Sequence, residues 1–231
     1  MRKTVLAIAV TVASMSSVSA QELSIQFTNL THGSHFTPLL VSAHSSDQHI
    51  FEVSTAASSS LQAMAEGGDT SGLITELSAL NADLIDNPAG GLTAPGQTIN
   101  FNLVTQETNT RLSVVGMILP SNDGFVGLDS LTIPNEEGSY TYYLNAYDAG
   151  TEANDEIVNG AGAPGAPGIP ADPLMQNGSG ATGVTSVENN TQVHIHRGVL
   201  GDTDASGGAS DLDSRIHRWL NPVARLVIEV K

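Results

Sequence analysis

Two short patterns in this chain carry donor atoms at spacings that suit metal chemistry. His194-Ile195-His196 alternates; on a strand, residues two apart share a face, so both imidazoles would form half of a transition-metal site. Asp123 and Asp148 each stand in a polar loop directly after a strand-like run. Loops of a β-sandwich collect at its ends, and two carboxylates brought together there repel unless a cation lies between them. Aspartate is also an ordinary turn residue, and these residues alone leave both readings open. Asp129 and Glu152 are near in sequence and could substitute for, or support, such a pair. His35 and His44 flank the apolar segment from Phe36 to Val41. Joined to the 194–196 pair, either would complete a nitrogen-rich site for copper or zinc.

Catalytic patterns are thin. There is no G-x-S-x-G elbow, no H-E-x-x-H motif and no cysteine. The adjacent acids Asp155 and Glu156 could suggest glycoside hydrolysis, but 4% aromatic residues is poor material for a sugar cleft. The segment 202–213 has EF-hand-like acid spacing, with Gly207 at position six. It ends in Asp213 where a bidentate Glu is needed and no helical pattern precedes it, so a solvated loop is expected. Gly160, Gly162 and Gly165 mimic a dinucleotide fingerprint inside a proline-rich stretch with no following helix, an accident of composition. No enzymatic activity is expected.

Charge removes further classes. The chain has 24 acidic and 8 basic residues. Nucleic acids bind through clustered Lys and Arg, which are missing, and an anionic bilayer would repel the chain. Arg2 and Lys3 lead into an apolar run, Val5 to Val12, and small residues ending Val18-Ser19-Ala20. That reads as a secretory signal peptide over residues 1–20, with the mature chain from 21 to 231 and no membrane insertion after cleavage. Loss of Arg2 and Lys3 takes the net charge from −16 to −18 and leaves Lys231 as the one lysine, which excludes Schiff-base chemistry. The expected location is exported, periplasmic or extracellular.

The elements that must position these donors are mostly strands. Residues 24–27, 98–104, 111–119, 139–147 and 222–230 are β-branched, aromatic or alternating runs. Two helical patterns interrupt them. Leu61, Met64 and Ala65 form one face ending at Gly67-Gly68, and Leu73, Ile74, Leu77, Leu80 and Leu84 form another stopping near Asn87-Pro88. Residues 159–183 are a low-complexity Ala/Gly/Pro loop, followed by a second Asp/Gly/Ser loop at 201–213.

Four segments in order resemble the spondin N-terminal domain family of extracellular matrix proteins and their bacterial relatives. They are Phe36-Thr-Pro-Leu-Leu-Val-Ser-Ala-His44-Ser-Ser-Asp47 with Leu61-Gln-Ala-Met-Ala-Glu-Gly-Gly68; Val115-Gly-Met-Ile-Leu-Pro-Ser-Asn-Asp123-Gly-Phe-Val-Gly-Leu-Asp129-Ser-Leu131; Tyr147-Asp148-Ala-Gly-Thr-Glu152; and Asn221-Pro-Val-Ala-Arg-Leu-Val-Ile228. The resemblance implies a mostly β fold, a C2-like antiparallel β-sandwich with two short helical insertions. It also implies calcium on Asp123 and Asp148, with a further carboxylate from the strand before the Asp123 loop. At that offset this chain has Val104, and Glu107 is the nearest acid. Animal members carry Trp after the aspartate matched by Asp123 where this chain has Gly124-Phe125, and cysteines that this chain lacks. Residues 159–213 form an enlarged loop region compared with the animal domains. The function expected is a non-enzymatic, calcium-binding interaction or adhesion module, its partner an extracellular protein or glycan. The alternative is an exported copper- or zinc-binding protein using the histidines.

Overall fold

A computed structural model describes residues 20–174 and 178–231. The signal-peptide reading falls, but for its last residue, outside the described residues. Twelve elements follow one another: β1 (Glu22–Asn29), β2 (His35–Phe36), β3 (Leu40–His44), α1 (Ser59–Gly67), α2 (Ser71–Ala79), β4 (Asp83–Asp86), β5 (Thr98–Val104), β6 (Arg111–Leu119), β7 (Gly124–Thr132), β8 (Gly138–Asp148), β9 (His194–Ile195) and β10 (Ala224–Val230). The expected mostly antiparallel β architecture with two short helices is what the chain adopts.

The strands hydrogen-bond in the order β4-β3-β6-β7-β8-β10-β1-β5, with β2 added on β6 and β9 on β8. The two ends of this path nearly meet. The Asp83 carboxylate on β4 accepts from the Gln106 backbone N–H at 2.7 Å and from the Asn109 amide at 2.8 Å, both just past β5. Side chains thus fasten an edge that the backbone ladder leaves open.

Strand β6 shows why two layers form. Eight of its nine residues are buried, because both of its faces are covered. Leu112, Val114 and Ile118 join an interior cluster with Leu23, Phe27, Val126 and Leu226. Val115 joins a second cluster with Leu40, Phe125 and the helix residues Leu61, Met64, Leu73 and Leu77. The helices are lids on the outer face of β3, β6 and β7. Ser58 caps α1 by accepting from the Leu61 N–H at 3.1 Å.

The second helix is shorter than its sequence pattern. It stops at Ala79, while Leu80 is exposed and Leu84 belongs to β4, paired with Ser42 of β3. Asn81 takes a left-handed backbone, φ 58°, that ends the helix. The open edge of β3 then recruits the next four residues as a strand. Pairing with a neighbour outweighs the local 3.6-residue period.

Candidate functional site

The register of β7 and β8 makes the site. Gly124 lies opposite Asp148, so Asp123, one residue ahead of β7, and Asp148, the last of β8, share one end of the sheet. Both are buried, at 0% and 2% exposure. Backbone and side chain together hold the Asp123 carboxylate: its Oδ2 accepts from the Thr151 N–H at 2.8 Å and the Thr151 hydroxyl at 3.2 Å. Asp148 Oδ1 accepts from the Gly150 N–H at 2.9 Å, and its Oδ2 from the Asn154 amide at 2.8 Å.

Two carboxylate oxygens at this end have no partner. Asp123 Oδ1 and Glu152 Oε1 are buried without a hydrogen bond. The other Glu152 oxygen accepts from the Gly168 N–H at 3.0 Å. Burial, with repulsion from Asp148, pushes the Asp123 carboxyl up to about 7. Burial, with repulsion from Asp123, Glu66 and Asp155, pushes Glu152 up to about 8. An unsatisfied, charged oxygen in a low-dielectric site is costly, so this cluster is short of positive charge.

The two histidines of the alternating pair do meet Asp148. His194 lies opposite Asp148 in the β8–β9 ladder, with Nδ1 3.8 Å from Oδ1; His196 Nε2 is 3.9 Å from Oδ2. Their hydrogen bonds fix where the protons are. Gly198 N–H donates to His196 Nδ1 at 2.9 Å, so the proton sits on Nε2, which donates to Asn154 Oδ1 at 3.2 Å. His194 Nδ1 donates to the Gln192 carbonyl at 2.8 Å. Each nitrogen that faces Asp148 therefore carries hydrogen, given to Gln192 or Asn154 and not to the carboxylate, and offers no lone pair to a metal from that position. Burial lowers His196 to about 4 and keeps it neutral at ordinary pH.

The remaining candidates lie elsewhere. Glu107 is exposed in the turn that feeds β6, whereas Asp123 follows the strand's far end. Nine residues of strand separate these ends by roughly 30 Å. Val104, paired with Glu22, sits at that distant end too. His44 is also there, opposite Arg111 and buried, with Nε2 2.7 Å from Ser113 Oγ and Nδ1 2.9 Å from the Ser45 carbonyl. His35, on β2, stands beside Asp172 and His217. Strand direction thus carries His44 to the end of β6 away from His194 and His196, while His35, opposite Leu119 at the near end, is grouped with Asp172 and His217. Asp129 is well along β7, where its carboxylate accepts from the Ile50 N–H at 2.7 Å and contacts His49 at 2.5 Å. It anchors the segment that leads to α1. Asn154, which links Asp148 to His196, gave no signal in the sequence.

Among the described residues, no group of three or more His, Asp or Glu side chains is placed so that it could hold a metal ion. No helix among them is long and apolar enough to cross a membrane. Comparison with known proteins bears on what this end of the sheet is for. The Spondin_N family model matches residues 17–161, which takes in Asp123, Asp148 and Glu152. Human Spondin-2 is 32% identical over 129 residues, covering 51% of this chain and 38% of that protein. The chain thus corresponds to well under half of that relative's length. With more than half of its residues inside the family match, the chain belongs to the spondin N-terminal domain family.

Proposed function

We propose that the chain is an exported, non-catalytic adhesion-type module whose loop end is fastened by one calcium ion. The observation that carries this reading is the pair of buried, partnerless oxygens, Asp123 Oδ1 and Glu152 Oε1, on neighbouring carboxylates next to Asp148. A divalent cation supplies the charge that these groups lack, and Asp123, Asp148 and Glu152 are the residues that would hold it. Oxygen donors suit a hard cation. Imidazoles whose facing nitrogens carry hydrogen do not suit copper or zinc, so the alternative based on His194 and His196 is the weaker one. The ion's contribution is structural: it draws together the β6–β7 loop and the loop that follows β8.

The test is elemental analysis of protein purified without added ions, followed by calcium titration monitored by thermal unfolding. One bound calcium and a rise in Tm are expected, equivalent to about 2.7 kcal/mol at a hundredfold excess over Kd. Stoichiometric copper or zinc, or a Tm indifferent to calcium, overturns the reading.

A further inference from the structure

Beside the carboxylate cluster a pocket of about 410 Å³ opens between Asp148, β9 and residues 185–190. Three kinds of chemistry line it. Arg197 is exposed, and no carboxylate of the described residues lies within ion-pair distance of it, in a chain with three acids for every base. Val187 and Ile195 present large apolar side chains that are 57% and 47% exposed. Thr185 and Asn189 add a hydroxyl and an amide. The space is too large for one acidic side chain and falls in the range of small-ligand sites.

We propose that this pocket binds a carboxylated sugar of the uronic acid type. The guanidinium of Arg197 recognises the sugar carboxylate in its planar, two-pronged fashion. Val187 and Ile195 pack against the apolar face of the pyranose ring, and Thr185 and Asn189 take its hydroxyls. In one respect the assignment rests on the calcium reading. Asp148 and Glu188 also line the pocket and repel a carboxylate. Glu188 is partly engaged, since it accepts from the Asn190 N–H at 2.6 Å. The cation proposed to lie among Asp123, Asp148 and Glu152 would screen Asp148, so calcium and the acidic sugar bind with positive coupling.

The probe is digalacturonate, short enough to limit long-range repulsion by the acidic surface, titrated calorimetrically at physiological salt. Wild type with calcium should bind it, with the neutral galactose disaccharide at least tenfold weaker. Arg197→Ala and Val187→Asp should each lose at least tenfold while keeping the calcium-induced rise in Tm, which shows that they fold and hold the ion. A wild type that shows the calcium shift but no digalacturonate binding overturns the pocket and leaves the calcium site standing. Digalacturonate binding that persists in chelator, with no calcium shift, does the reverse. Unchanged affinity in Arg197→Ala, equal affinity for the neutral disaccharide, or tighter binding of a tetraglutamate peptide each overturns the ligand assignment.

Discussion

Replacing Asp123 by asparagine tests the charge deficit directly, because it should stabilise the metal-free protein. Asn keeps an acceptor for Thr151 and Glu152 and removes the buried charge. A carboxyl raised from 3.8 to about 7 penalises the ionised folded state by on the order of 4 kcal/mol, at 1.36 kcal/mol per unit. The sign follows from linkage: the folded protein holds this proton more tightly than the unfolded chain does. Metal-free stability therefore falls as pH rises from the ordinary carboxylate range toward 7 and stays low above it. Allowing for relaxation around the ion, Asp123→Asn should gain about 3 kcal/mol at pH 8 in chelator, or roughly 6–12 °C in Tm for a chain of this size. The same variant should lose most of the calcium response. Differential scanning calorimetry at pH 8, with calcium or chelator, measures both effects. A lower Tm for Asp123→Asn in chelator, or a full calcium shift in that variant, would refute the reasoning.

Other positions make separate demands. Ser113 and His44 form a buried hydroxyl–imidazole pair at 2.7 Å, yet Ser113 is 0% exposed, so a serine-directed fluorophosphonate should leave the protein unlabelled. Ser113→Ala should cost about 1–3 kcal/mol in denaturant unfolding, since it strips partners from His44 and the Ser130 N–H. Gly150 has φ +69°, and a Cβ there would lie 2.7 Å from the Asn190 carbonyl and the Gln192 N–H, so Gly150→Ala should lower Tm by the equivalent of at least ~2 kcal/mol. The hydrogen bond to Asp129 raises His49, so that contact stabilises fully below 6.5 and is lost as pH rises through the raised value. His49 is 40% exposed and the gain is under about 1 kcal/mol, which an NMR titration of His49 against Asp129→Asn should resolve.

Strands whose cores are continuous β-branched or apolar runs were legible residue by residue. Thr98–Val104 and Arg111–Leu119 have the same bounds in the sequence pattern and in the sheet. Strand β7 was not, because Gly124, Gly127 and Ser130 interrupt its pattern. Gly127 is there for space: a Cβ would meet the Phe51 ring at 2.8 Å and Tyr147 at 2.9 Å, inside an aromatic cluster assembled from three distant segments. The same long-range logic limits the site. Alternation placed His194 and His196 on one face, and the structure agrees, but their partner is Asp148. Nothing local says that β9 pairs with β8. Glu107 was chosen by sequence distance from Val104, and strand direction carries it to the wrong end. The link between Asp123 and Asp148 came from family resemblance, since the Gly124–Asp148 pairing is a tertiary fact.

The acid surplus reads differently once each carboxylate is asked what it accepts. The described residues between 153 and 213 have almost no regular secondary structure, so their backbone N–H groups need acceptors from elsewhere. Buried acids supply them. Glu156 takes the N–H groups of Leu200 and Gly201 and the Ser210 hydroxyl. Asp211 takes those of Val158, Ser179 and Ala181. Glu66, on α1, reaches the Gly165 N–H at 2.6 Å. Asp202, which heads the EF-hand-like stretch, is occupied by its own loop through Asp204, Ala209 and Ser210. In each of these four the charge is answered by backbone dipoles, and a cation would have to displace donors to enter. Asp123, Glu152 and Asp172 are different, each with one oxygen satisfied and the other without a hydrogen bond, but the free oxygen of Asp172 faces His217 Nε2 at 3.5 Å, whereas those of Asp123 and Glu152 face other carboxylates. Acid content alone points to no particular place on this chain; the balance of acceptors and donors points to the end of β7 and β8.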